Sequence, residues 1–151
     1  MELKDIIKEA IVISENATFG EALDTMLSKQ ANSLLVVDEE GKLSGEITVT
    51  DLLDGIIPPM LDGDDAMEKL SDEESFAQAV HDAQQTPVFE FMSSDFSTVR
   101  PDDTLMDVAA TAIGHQRARI PVVDHSERPV GIISRRGLKQ ILGKYLHKKK
   151  H

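Results

Sequence analysis

The stretch Leu34-Leu35-Val36-Val37-Asp38-Glu39-Glu40-Gly41-Lys42-Leu43-Ser44-Gly45-Glu46-Ile47-Thr48 decides the fold. It holds a continuous apolar run, a polar turn, and a second run that closes on Gly-x-Ile-Thr. Apolar runs without alternation suit strands covered on both faces. With the turn between them they read as a hairpin with a longer loop. The same order returns 86 residues on, as Ile120-Pro121-Val122-Val123-Asp124, then His125-Ser126-Glu127-Arg128, then Gly131-Ile132-Ile133-Ser134. That spacing, without a gap, also pairs Thr18 with Thr104, Thr25 with Thr111, Gln30 with Gln116 and Leu52 with Leu138. Matches at polar as well as apolar positions, all at one spacing, mark a repeated unit.

Outward from the hairpin, each copy reads as strand, helix, strand, strand, helix. Residues 11–14 and 97–100 are short and β-rich. Thr18-Phe19-Gly20-Glu21 has the form of a capping box, in which the hydroxyl and the carboxylate each take a backbone amide. Thr104-Leu105-Met106-Asp107 is its weaker counterpart. Phe19, Ala22, Leu23, Met26 and Leu27 then fall on one helical face, as do Leu105, Val108, Ala109, Ala112 and Ile113; core packing accounts for both stripes. The second helices begin near Asp51 and Arg136, and Pro58-Pro59 stops the first of them. Between the copies, Ser71-Asp72-Glu73-Glu74 starts a helix with Phe76, Ala77, Val80 and Ala83 at helical spacing, stopped by Pro87. The expected organisation is a first unit at 1–56, an acidic helical connector at 57–87, a second unit at 88–146 and a basic tail at 147–151.

Composition narrows the function. The chain of 151 residues has 40% hydrophobic residues, enough for a core, and no cysteine, which excludes disulfides and thiolate metal sites. No run approaches a membrane span and the first residues do not form a signal peptide, so a soluble, cytoplasmic protein without membrane partners is expected. The formal charge of −11 opposes general binding to nucleic acid. Asp62, Asp64 and Glu73 fall on three ligand positions of a calcium loop, but Ala66 and Met67 stand where a ligand and the required glycine belong. No metal is expected. The histidines at 81, 115, 125, 147 and 151 lack metal-ligand spacing, and neither a P-loop nor a nucleophile elbow is present. Catalysis is therefore not expected.

These residues resemble a known family. Val-Val-Asp, a polar turn and Gly-x-Ile-[Thr/Ser], occurring twice in order, are similar to the CBS motif, and the chain resembles stand-alone tandem CBS pairs (Bateman modules) over roughly residues 3–56 and 88–142. The resemblance implies an α+β fold of two β-α-β-β-α units about a pseudo-twofold axis, with two clefts between them and a helical acidic insertion. It implies a regulatory role, common pairing into a homodimer, an effector protein as partner, and clefts that in many members bind AMP, ADP, ATP, S-adenosylmethionine or NAD. An adenine nucleotide is the ligand expected here.

The family's nucleotide signature maps onto Gly45-Glu46-Ile47-Thr48-Val49-Thr50-Asp51. There Gly45 lets the backbone approach a ligand closely, Thr48 and Thr50 offer hydroxyls at a helix mouth that favours phosphate, and Asp51 can accept from both ribose hydroxyls. The structural alternative is that Thr50 and Asp51 cap the helix. The second copy keeps Gly131 and Ser134 but has Gly137 where the carboxylate belongs. In exchange it gains Arg119, at a position where several members meet phosphate, together with Arg135 and Arg136. By the resemblance Ile13, Val99 and Ile120 are candidates to meet the adenine. One competent cleft is expected, with Asp51 on the ribose and Arg119 on phosphate. The remaining alternatives are a ligand-free dimeric scaffold and a sensor of S-adenosylmethionine or NAD.

Overall fold

Thr18 and Thr104 each close a capping box. Thr18 Oγ1 accepts from the Glu21 amide at 3.2 Å while Glu21 takes the Thr18 amide at 3.1 Å. Thr104 does the same with Asp107 at 3.0 and 3.2 Å, so the shorter acid still reaches. One turn further on, Thr25 and Thr111 both donate to the carbonyl four residues back, Glu21 and Asp107. These two threonine matches of the repeat are thus hydrogen bonds made twice.

The computed structural model describes residues 2–57, 72–114 and 119–148. These contain six strands, β1 (Ile7–Lys8), β2 (Val12–Ser14), β3 (Ser33–Val37), β4 (Leu43–Thr48), β5 (Arg119–Val123) and β6 (Pro129–Ser134). Five helices accompany them: α1 (Phe19–Lys29), α2 (Val49–Gly55), α3 (Glu73–Ala83), α4 (Leu105–Gly114) and α5 (Arg135–Leu146). Short 3-10 turns precede each repeat, at Leu3–Asp5 and Val88–Glu90. The class is α+β.

Two compact units form, and neither is a continuous stretch. The first comprises Ile11–Glu39 and Ser44–Ser94; the second comprises Met1–Ala10, Glu40–Leu43 and Asp95–His151. In the first, the sheet runs β2-β3-β4, with β2 parallel to β3. Its core joins Phe19, Ala22, Met26, Leu34, Val36 and Ile47 to Ala83 of α3 and Val88. In the second, the sheet runs β1-β6-β5, all antiparallel, over Leu3, Ile6, Val99, Val108, Ile120 and Ile133. The segment that leads into each repeat therefore packs with the other one. Ile7 pairs with Ile133, whereas Ser93 bridges to Glu46.

The structure departs from expectation in small ways. Residues 97–100 form only an isolated parallel bridge, Val99 to Val122, instead of a strand. Helix α2 ends at Gly55 before the prolines are reached, and α3 ends at Ala83 before Pro87, which instead bridges to Thr18. Asp72, not Ser71, is the N-cap of α3; the amide and hydroxyl of Ser75 hold its carboxyl below the usual range. The calcium-loop residues at 62–71, Gln116, His115 and Arg117 lie outside the described residues. In the two hairpin turns Gly41 and Glu127, 86 residues apart, both take left-handed backbone, at φ 82° and 65°. Asp124 closes the second turn by accepting from the amides of Ser126 and Arg128, and those bonds lower its pKa.

Gly143, inside α5, has open space where a Cβ would stand. Gly143→Ala is expected to stabilise the second unit by about 0.5–1 kcal/mol, because alanine loses less backbone entropy in a helix. A urea midpoint that does not rise would contradict this.

Candidate functional site

The Gly45–Asp51 motif sits where β4 enters α2, and Thr48 and Asp51 find their partners within the first unit. Thr48 is the N-cap of α2: its hydroxyl accepts from the Asp51 amide at 3.3 Å. Asp51 Oδ2 takes the Thr48 amide at 2.9 Å and the Thr48 hydroxyl at 3.1 Å. Oδ1 takes the hydroxyl of Ser93 at 2.9 Å. Asp51 as a whole is buried, at 9% exposure. A carboxylate oxygen offers about two lone-pair directions, so Oδ2 is filled and Oδ1 has one left. The capping role expected of Thr50 and Asp51 is therefore carried by Thr48 and Asp51, while Thr50 is exposed in the first turn.

Gly45 has a different neighbour from the one the motif suggested. A Cβ there would stand 2.5 Å from Met92 Sδ and 3.0 Å from the Ser93 carbonyl oxygen. The close approach is made by the chain's own segment at 92–93, whose Ser93 exchanges both backbone hydrogen bonds with Glu46 at 2.9 Å. Nothing in the motif itself announces Met92 or Ser93. Their only sequence signal is that residues leading into the second copy match those leading into the first.

The second motif is built the same way and closed differently. Gly131 would meet Ile7 Cγ2 at 2.5 Å and the Lys8 carbonyl oxygen at 2.6 Å if it bore a Cβ. Ser134 caps α5, accepting from the Gly137 amide at 3.2 Å. Where Asp51 stands in the first copy, a Cβ on Gly137 would lie 3.1 Å from Ile6 Cβ. Ile6 is fully buried, so the place of the missing carboxylate is bounded by core.

Arg119 begins β5 directly across from Ser134 in the strand register, half-buried. Arg135 and Arg136 are exposed in the first turn of α5, which holds no acid. Cations at a helix N-terminus oppose the helix dipole, each by about 0.3–1 kcal/mol. An anion there would relieve them. Ile47, Val99 and Ile120 are core residues with their side chains enclosed, and Ile13 is partly buried; only Ile13 of the four has side-chain surface to offer. Among the described residues no group of three or more His, Asp or Glu could hold a metal ion, and no helix is long and apolar enough to cross a membrane.

The comparisons agree with this architecture. The model of the CBS domain matches residues 3–58 and 88–144. The uncharacterized protein MJ1426 of Methanocaldococcus jannaschii is 28% identical over 94% of this chain and 91% of its own length. Other curated relatives are longer, and the chain spans 42% and 43% of two of them. Among solved structures, a CBS domain-containing protein of unknown function from Kribbella flavida superposes with a TM-score of 0.76 at 20% identity, over 95% of this chain and 99% of that one. CBSX2 from Arabidopsis thaliana, in a crystal structure in complex with AMP, gives 0.68 at 19% identity, over 97% and 98%. With the motif repeated in order, each copy's hairpin built into its own sheet and both copies matched, the chain belongs to the CBS domain family and is a CBS pair, a regulatory module.

Proposed function

We propose that this CBS pair senses an adenosine-containing ligand, with AMP, ADP or ATP as the preferred class, and reports its occupancy to a separate effector protein. The observation that carries this is Asp51: a buried carboxylate, oriented at a helix mouth by three hydrogen bonds, with one acceptor position left on Oδ1. Such an acceptor suits a ribose hydroxyl. Taking both hydroxyls of the diol requires Ser93 to turn away. Gly45, Ile47, Thr48 and Thr50 complete the proposed nucleoside end, with Ile13 at the adenine through its side chain and Val99 and Ile120 through backbone. Arg119, Ser134 and Arg136 are the proposed phosphate contacts. The AMP bound by CBSX2 supports this ligand class. We read the protein as cytoplasmic, homodimeric and non-catalytic.

Titration calorimetry with AMP, ADP, ATP, S-adenosylmethionine and NAD tests the proposal. Arg119→Ala is expected to weaken nucleotide binding about tenfold to a hundredfold, the range of a charge-assisted contact. Asp51→Asn should weaken every ribose-bearing ligand alike, and Ser93→Ala should strengthen them, since it releases the second acceptor. Thermal shift gives a quick screen, because saturation near 100 times Kd adds about 2.7 kcal/mol. No shift with any of these ligands would leave the ligand-free interaction module as the reading.

A further inference from the structure

Asp51 already accepts a hydroxyl from within the chain. Ser93 donates to its Oδ1 at 2.9 Å, while the Thr48 amide and hydroxyl fill Oδ2 at 2.9 and 3.1 Å. The backbone of Ser93 is pinned beside the motif. Its amide and carbonyl both bond to Glu46 at 2.9 Å, and its carbonyl oxygen would stand 3.0 Å from a Cβ on Gly45. The residue itself stays half-buried, and its hydroxyl turns about a single side-chain torsion.

The second motif supplies the contrast. Lys8 stands there as Ser93 stands in the first: its carbonyl oxygen would lie 2.6 Å from a Cβ on Gly131, the glycine matching Gly45. It also pairs with Ile132, the residue matching Glu46. In that copy Gly137 replaces the carboxylate and a lysine replaces the hydroxyl. Acid and donor are thus present together in one copy and absent together from the other. A backbone bridge alone asks nothing of that side chain.

A site built to bond a hydroxyl rejects an analogue lacking it, because the site's own polar group is then left unpaired. Ser93 spares Asp51 that penalty. A ligand with one hydroxyl takes the acceptor direction left on Oδ1, and Ser93 keeps the other. With a second hydroxyl, the ligand can only replace that of Ser93, exchanging one hydrogen bond for an equivalent one at little net gain. We infer that Ser93 is a specificity-determining residue that makes the nucleoside end indifferent to the second ribose hydroxyl. The module therefore takes a deoxynucleotide that keeps one of the two hydroxyls about as well as the ribonucleotide. The inference rests on the proposed ribose contact of Asp51 and adds which sugars that contact admits.

Titration calorimetry of the full chain with AMP, 2′-deoxy-AMP and 3′-deoxy-AMP tests this. In the parent, at least one deoxy form should bind within about threefold of AMP. Ser93→Ala should widen that ratio to about tenfold or more for the same deoxy ligand, because the uncovered acceptor now favours the second hydroxyl. Ser93→Thr keeps the hydroxyl and should restore the parent ratio, which a merely structural role would not do. Thermal melts check that both variants are folded. A parent that prefers AMP over both deoxy forms by about tenfold or more overturns the inference, as does a Ser93→Ala ratio no wider than the parent's. In either case, loss of AMP affinity in Asp51→Asn still upholds the ribose contact. AMP affinity unchanged in Asp51→Asn, or undetectable in the parent, overturns the ribose contact and the inference with it.

Discussion

Gly131→Ala is expected to destabilise the protein by about 3 kcal/mol and to lower Tm by roughly 6–12 °C. The added methyl would stand 2.6 Å from the Lys8 carbonyl oxygen, a backbone atom of β1, and 2.5 Å from Ile7 Cγ2. Rotating a side chain does not relieve the first contact. Strand β1 must lift from β6, loosening the Ile7–Ile133 and Lys8–Ile132 pairs and the burial of Leu3 and Ile6 that depends on them. Gly45→Ala provides the internal control. Its closest contacts are Met92 Sδ and Cγ, the far part of a flexible side chain, and the Ser93 carbonyl oxygen is 3.0 Å away. About 1–2 kcal/mol is expected there, at the low end for overpacking. Urea midpoints of the two variants measure the difference, and hydrogen exchange at Ile7 and Ile133 should locate the larger effect in β1. Equal costs at the two glycines, or a Gly131→Ala loss within 0.5 kcal/mol, would contradict this account.

These two glycines also show what a single sequence can and cannot reveal. The repeat, its caps and its hairpins are local features. Thr18 and Glu21 lie three residues apart, and Val36-Val37-Asp38 needs only its neighbours to be read as a strand entering a turn. The exchange of leading segments is not local. Strand β1 has two residues, too few for periodicity, and its partner lies more than 120 residues along the chain. The spacing shifts as well: the body of the repeat matches at 86, but the 3-10 turns at Leu3–Asp5 and Val88–Glu90 are 85 apart. A gapless comparison at 86 therefore slides past them.

The same blindness affected the site. A glycine preceding a helix mouth signals close approach, but not whether a ligand or the chain itself approaches. The motif points Gly45 toward a ligand, whereas the structure puts Met92 and Ser93 against it. The motif leaves Asp51 open as ribose anchor or cap, and in the structure it makes the capping bonds. Those bonds occupy Oδ2 while Oδ1 takes the Ser93 hydroxyl, so capping and the proposed ribose contact draw on different oxygens. The arginines were legible because charge needs no partner to be noticed. What brings Arg119 opposite Ser134 is strand register, which emerges only once β5 and β6 pair.

The asymmetry between the copies can be tested at Gly137. Gly137→Asp restores the carboxylate the second motif lacks, and it is expected to cost about 2–3 kcal/mol through overpacking and burial of a polar group. Its Cβ would lie 3.1 Å from Ile6 Cβ, 3.4 Å from the Ile6 carbonyl oxygen and 3.7 Å from Ile6 Cγ2. Ile6→Ala alone should cost about 2–4 kcal/mol, since Ile6 is fully buried and leaves a cavity. Combined, the two should cost at least 1 kcal/mol less than their sum, because the carboxylate enters the volume the isoleucine leaves. There it can accept from the Ser134 amide as Asp51 accepts from Thr48. A double-mutant cycle of urea midpoints measures the coupling. Strict additivity would mean that Ile6 does not occupy the missing carboxylate's place, and the loss of acid at this position would need another cause. A favourable coupling would identify the exchanged N-terminal segment as what closes the second motif, making the two copies unequal through packing before any ligand is considered.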